Sequence, residues 1–182
     1  MELTFEPWPK IARLNRDCVI TEKIDGTNAA VIVTDDGQVG SQSRTRLITP
    51  DADNYGFARW VHENAEVLAA TLGPGRHFGE WWGQGIQRKY GLDHKRFSLF
   101  NVNRYKDVDF TELPNVGLVP TLWTGGFTTD AVNLTVQQLR SFGSYAAPGF
   151  AKPEGVVVFH VAAQTVFKVT CEGDEAPKGM TA

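Results

Sequence analysis

The side chains best placed to do chemistry in this chain are a lysine beside a turn and a few carboxylates with apolar flanks. In Thr21-Glu22-Lys23-Ile24-Asp25-Gly26-Thr27-Asn28, Lys23 ends an apolar, β-branched run and stands two residues before Asp-Gly, a turn signal. That spacing puts an amine at the lip of a sheet, where it can act as a nucleophile. A surface turn uses the same residues, so the octapeptide alone leaves both readings open. Glu80 sits between Gly79 and the pair Trp81-Trp82, and Glu154 precedes Gly155 and an all-apolar run. A hard carboxylate oxygen such as that of Glu154 suits a magnesium ion or its bound water. Lys168 stands among Val166, Phe167 and Val169, either aimed into a site or facing solvent.

A second feature is electrostatic. Between Arg76 and Lys106 the chain carries seven cations (Arg76, Arg88, Lys89, Lys95, Arg96, Arg104, Lys106) against Glu80 and Asp93, a local excess of positive charge in a protein of net charge −3. Trp81, Trp82, Tyr90, Phe97, Phe100 and Tyr105 are interleaved with them. Phosphate neutralisation with base stacking calls for this mixture, and a solvated basic face beside a core strand is the competing explanation.

Strands are expected at 18–23, 27–34 and 38–44, joined at Asp25-Gly26 and Asp36-Gly37 into an antiparallel meander. A polar loop, 45–54, leads to a helix over 55–72 with Phe57, Val61, Ala65, Leu68 and Leu72 on one face, Asp53 or Asn54 as cap and Gly73 as stop. Strands at 76–82 and 96–102 flank a glycine-bounded loop. Val116 to Val119 reads as a short strand in a stretch, 107–133, of otherwise unclear pattern. Thr135 and Gln138 form a capping box for a short helix to Phe142. Two strands, 155–161 and 164–170, turn at Ala162-Ala163, and the polar tail after Cys171 is expected to fray. The pattern is a single α+β domain over 1–182, dominated by antiparallel strands.

Composition excludes several classes. No apolar run reaches membrane-spanning length, and the N-terminus lacks the basic-then-apolar pattern of a signal peptide. Cys18 and Cys171 are the only cysteines, without CxxC spacing, and the four histidines have no ligand spacing, which argues against a zinc site or disulfide framework. A reducing, cytoplasmic setting is the expectation.

Taken in order, Lys23-Ile24-Asp25-Gly26, Ser43-Arg44-Thr45, Phe78-Gly79-Glu80, Phe97 to Val102, Pro153-Glu154-Gly155 and Val166-Phe167-Lys168-Val169 resemble the motif series of the covalent nucleotidyltransferases: DNA ligases, RNA ligases and capping enzymes. With Pro9-Lys10-Ile11 and Arg13-Leu14-Asn15-Arg16 ahead of Thr21-Glu22-Lys23, the likeness is greatest to the RNA ligases that include the nick-sealing phage enzymes. It runs from about Pro9 to Val169. The resemblance implies a nucleotidyltransferase domain with antiparallel sheets flanking an ATP cleft. The activity implied is ATP-dependent joining of 3′-hydroxyl and 5′-phosphate RNA ends through a lysyl-AMP on Lys23, with Mg2+ or Mn2+ as cofactor.

It further implies Glu154 as metal- and lysine-facing carboxylate and Lys168 at the α-phosphate. Glu80 would bind the ribose, Phe100 would stack on adenine, and Arg44 (or Arg46, one pleat on) would reach the phosphates. The main chain of Glu22, more than its side chain, would read the adenine edge, and Asn28 would hold phosphate or the 3′ end. A free lysine titrates near 10.4, so a neutral amine near pH 7 needs roughly 4–5 kcal/mol from neighbouring cations, for which a metal, Lys168 and Arg44 are candidates. Three departures stand out: Asn101 replaces a common acidic residue, Thr170 a second lysine, and the C-terminal OB or helical domain of relatives is expected to be missing. A partner protein or second copy is the expected source of extra strand binding. A DNA ligase, a GTP-using capping enzyme and a non-catalytic nucleotide-binding module are the competing readings.

Overall fold

In the computed structural model, which describes residues 3–172, the expected strands on either side of Asp25-Gly26 form but do not pair with each other. In chain order the elements are β1 (Asp17–Lys23), β2 (Thr27–Val33), β3 (Val39–Ser43), β4 (Leu47–Ile48), α1 (Phe57–Glu63), α2 (Ala65–Leu72), β5 (Gly75–Gly83) and β6 (Lys95–Leu99). Then come α3 (Val102–Tyr105), β7 (Val116–Leu118), β8 (Thr121–Gly126), α4 (Thr129–Phe142), β9 (Gly155–His160) and β10 (Thr165–Thr170). They build two sheets, ordered β10-β9-β1-β8 and β4-β3-β2-β5-β6-β7, antiparallel throughout except for the parallel β6–β7 pair. The fold is α+β, as expected. The meander is not: both edges of β1 are taken by β8 and β9, so Ile24-Asp25-Gly26 is a crossing from one sheet to the other.

Each sheet buries one face under helices. Ala29, Val31, Val33, Trp81, Phe97 and Leu99 of the larger sheet pack with Phe57, Val61 and Leu68 of α1 and α2. Cys18, Ile20, Val156 and Val158 of the smaller sheet pack against Val132, Val136 and Leu139 of α4. A third, smaller cluster of Ile24, Trp82, Tyr90, Val119 and Ala147 lies where the sheets meet. No helix among the described residues is long and apolar enough to cross a membrane.

Several boundaries differ from expectation for local reasons. The helix expected over 55–72 breaks at Asn64, whose side-chain and main-chain N–H groups both donate to Trp60 O (2.8 and 3.1 Å) and end α1. Asp53 still serves its N-terminus, accepting from Ala58 N and Arg59 N at 2.7 and 3.1 Å. Thr128, not Thr135, caps α4, accepting from Ala131 N (3.1 Å). Thr135 lies inside the helix and donates to Ala131 O (2.7 Å). Strand β6 stops at Leu99 because Asn101 caps α3, accepting from Arg104 N at 3.1 Å. The expected loop 45–54 contains the two-residue β4, and β8 lies in the stretch whose pattern was unclear. The tail from residue 173 onward lies outside the described residues.

Candidate active site

Alternation along β1 decides which side chains reach the seam between the sheets. Cys18, Ile20 and Glu22 point to the α4 side, so Lys23, the last residue of the strand, points to the other. There Lys23 Nζ donates to Glu154 Oε1 at 2.6 Å, both side chains being only partly exposed (25% and 17%). Glu154 Oε2 is buried and has no hydrogen-bond partner among the described residues. Gly155, the next residue, pairs with Lys23 on one side and with Thr170 on the other.

From the larger sheet Glu80 faces the same seam. It is 7% exposed and accepts from Gly26 N (3.1 Å) through Oε1 and from Asn28 Nδ2 (2.8 Å) through Oε2. Burial pushes its carboxyl up to about 7, against the pull of those hydrogen bonds and of the Lys23 charge; Glu154 pushes the same way as burial. Glu80 therefore ties the turn after the lysine to β5, and its electrostatics register both Lys23 and Glu154.

Phe100 is 42% exposed while Leu99 is fully buried, and Phe100 N donates to Phe78 O (3.0 Å). The Phe100 ring is thus open to solvent rather than packed in the core. Phe78, 51% exposed and two residues before Glu80 on the same face, forms an aromatic pair of positions with it. Phe78 had no assigned role in the sequence, although its i, i+2 spacing to Glu80 is the signal that finds it. By register Lys168 shares the Lys23 face, opposite Val157 and diagonal to Gly155, and is exposed. Arg44 is exposed just beyond the end of β3, where Ser43 pairs with Ala29. Arg46 is bound to its own loop through Ala52 O (3.0 Å), which leaves Arg44 the better placed of the two.

Two of the named residues use their side chains within the fold. The Glu22 side chain is turned away from Lys23 and is 1% exposed. It accepts from Ser144 Oγ, Tyr145 N and Ala146 N at 2.6, 2.8 and 2.9 Å, and burial raises its pKa despite them. It anchors the segment after α4, and Glu22 N donates to Pro120 O (2.9 Å). Asn28 is engaged with Glu80, so its amide positions that carboxylate.

The stretch 76–106 is also different from a stacking platform. Trp81, Trp82, Tyr90, Phe97 and Tyr105 are all buried, and only Phe100 among those aromatics is open. Arg88 donates to Asp25 Oδ2 (2.9 Å) and Glu172 Oε1 (3.0 Å), and Lys95 to Tyr55 O (2.7 Å). The buried aromatics between the cations belong to the core: Trp81 and Trp82 on β5, Tyr90 in the loop that follows, Phe97 on β6 and Tyr105 in α3. His77 and His160 are buried and hydrogen-bonded within the fold, as the lack of ligand spacing implied.

A model of the RNA ligase family matches residues 16–170. Solved structures of an RNA ligase from Naegleria gruberi share the fold. A mutant form with ATP and manganese gives a TM-score of 0.62 at 20% identity, covering 87% of this chain and 50% of that one. The form with pyrophosphate gives 0.61 at 20%, with coverage of 87% and 50%, and a mutant with AMP and manganese gives 0.59 at 19%, covering 87% and 51%. This chain thus spans about half the length of those proteins. No curated protein sequence matches.

Proposed function

This chain belongs to the RNA ligase family, and from that premise we propose that it is an ATP-dependent RNA ligase working through a lysyl-AMP on Lys23. The observation that carries the reading is the Lys23–Glu154 pair, 2.6 Å apart at the seam, with the buried carboxylate of Glu80 bound to the turn beside it. Lys23 Nζ attacks the α-phosphorus of ATP, a P–N bond forms, the α–β bridging P–O bond breaks, and pyrophosphate leaves. The proton of the attacking amine passes to Glu154 Oε1. Lys168, on the same face, offsets the charge that develops on the α-phosphate. Glu80 receives the ribose hydroxyls, Phe100 and Phe78 cover the base, Arg44 meets the phosphates, and the main-chain carbonyl of Glu22 reads the adenine edge. AMP then passes to a 5′-phosphate, and a 3′-hydroxyl displaces it to seal the strand, which is the chemistry of RNA repair.

A divalent ion, Mg2+ or Mn2+, fits at Glu154, whose Oε2 is buried without a partner among the described residues. No group of three or more His, Cys, Asp or Glu side chains able to hold an ion exists among the described residues. The ion would therefore share this one carboxylate with nucleotide phosphates and water, the usual magnesium arrangement. Bound there, it would neutralise phosphate charge. The two cysteines, both free, fit a reducing cytoplasmic setting.

The test is incubation with α-labelled ATP, or α-labelled GTP for comparison, and a divalent ion. Label should appear on the wild-type chain from ATP and be absent from Lys23→Ala. Label on that variant at the wild-type level, or label from GTP alone, overturns the reading.

A further inference from the structure

A cavity of about 300 Å3 lies beside the seam, and its charged lining is unlike the rest of this acidic protein. Arg88, Arg140 and Lys152 border it, with Glu172 as the one carboxylate and Cys171 between. Two guanidinium groups are oriented there by main-chain carbonyls: Arg88 Nη1 donates to Lys152 O (3.2 Å) and Arg140 Nε to Cys171 O (2.8 Å). Arg88 is fixed further by Asp25 Oδ2, which accepts from its Nε at 2.9 Å. The place of an anion is already marked, since Glu172 Oε1 accepts from Arg88 Nη1 at 3.0 Å. The Glu172 side chain is 75% exposed, so this contact is a weak, exchangeable one.

We propose that this cavity is a subsite for a phosphate group of the nucleic-acid strand, with the Glu172 carboxylate as its intramolecular stand-in. Guanidinium forks held in fixed orientation match phosphate oxygens in pairs, which a solvated surface lysine does not. Displacing Glu172 leaves three cations facing the cavity. Its volume exceeds the needs of one phosphate group and leaves room for the attached sugar. Lys152 is two residues, or about 7 Å of main chain, from Glu154, and Cys171 N donates to Glu154 O (2.8 Å). The cavity therefore adjoins the main chain that carries Glu154. Asp25, of the turn that follows Lys23, receives the same Arg88. The proposal rests on the ligase reading for the identity of the strand, but its test does not require ATP.

The experiment measures the affinity of the full chain for a fluorescent 5′-phosphorylated single-stranded RNA, without ATP, across a salt series. Arg140→Gln combined with Lys152→Gln should weaken binding about tenfold and lower the steepness of the log–log salt dependence by about one to two, because a strand with fewer neutralised phosphates releases fewer counterions on binding. Glu172→Gln, which removes the competing carboxylate, should tighten binding several-fold. Labelling of Lys23 by ATP should be unchanged in all three proteins. Unchanged affinity and slope in the double variant, or no tightening in Glu172→Gln, overturns the proposal. If millimolar phosphate protects the wild type against thermal unfolding through these residues while RNA binding is indifferent to them, the site takes a small free anion and the strand assignment fails. Should the double variant not fold, Glu172→Gln decides alone, because that side chain is exposed. If wild-type protein takes no label from ATP, the ligase reading falls, while the RNA-binding comparison still reports on the cavity.

Discussion

Glu80 is a carboxylate whose burial and hydrogen bonds pull in opposite directions, and burial prevails. Its pKa of about 7 stands above the ordinary 4.5, so between those values the folded protein binds a proton that the unfolded chain has released. Stability from this group is complete below about pH 4.5 and is lost as pH rises through 7, amounting to roughly 3 kcal/mol at most. Urea unfolding at pH 5 and pH 8 should therefore show a larger drop for the wild type than for Glu80→Gln. Equal drops would mean that Glu80 ionises freely in the fold. Glu154 gives a second expectation at this scale. Glu154→Ala and Glu154→Gln should both slow labelling of Lys23 by orders of magnitude, if its charge rather than its hydrogen bond serves the reaction. Full labelling by metal-stripped protein in excess EDTA would contradict a role for an ion at this carboxylate. Lys23 was legible from its place before Asp25-Gly26, and Glu80 and Glu154 because a carboxylate beside apolar residues needs a reason to be there. The side chain of Glu22, which the sequence reading ranked behind its main chain, goes to the face opposite Lys23 because the two are neighbours on one strand.

Close approach of main chain to main chain explains two of the motif glycines. A Cβ on Gly26 would lie 2.4 Å from Trp81 O, so the crossing between the sheets can run against β5 only without a side chain. A Cβ on Gly155 would lie 2.2 Å from Val169 O, and its φ of +157° adds strain. Gly155→Ala should cost about 1–3 kcal/mol in urea unfolding and push β10 from β9, so that labelling of Lys23 falls more than stability does. A fully active, equally stable variant would show that the hairpin yields at no cost. The anchor of the segment after α4 offers a comparison on the face of β1 opposite Lys23: Ser144→Ala leaves the buried Glu22 carboxylate short of one donor and should cost about 1–3 kcal/mol. At constant folded fraction, ATP labelling should stay near normal, and a selective loss of labelling would place Ser144 in the reaction instead. The elements with strong apolar periodicity, β1, β2 and β9, were readable. Strand β8, Thr121-Leu122-Trp123-Thr124-Gly125-Gly126, was not, because its pairing with β1 is a tertiary fact that two glycines and two threonines conceal.

Across the whole molecule, the two sheets carry separate cores and touch through the small cluster around Tyr90. The sequence could not indicate this division, since β1 and β2 are adjacent in the chain and look like a hairpin. Tyr90 is the tie that matters most: it is 2% exposed, its ring lies 5.0 Å from Trp82 and 4.6 Å from Phe150, and its hydroxyl accepts from Asp25 N at 2.8 Å. Removing the ring in Tyr90→Ala opens a cavity at the cluster shared by the two halves and orphans the Asp25 N–H, a loss of about 3–5 kcal/mol. Because the larger cores are untouched, that loss should fall on the coupling between the sheets. The wild type should unfold in one transition, with far-UV circular dichroism and tryptophan fluorescence coinciding. In Tyr90→Ala the two signals should separate, since three of the five tryptophans, Trp60, Trp81 and Trp82, lie with the larger sheet and its junction and one, Trp123, with the smaller, while β-structure is spread over both. The Lys23–Glu154 pair belongs to one sheet and Glu80 to the other, so labelling should fail in the first transition, before most secondary structure is lost. Coincident transitions in the variant would mean that the backbone crossings, not the Tyr90 cluster, hold the halves of the site together.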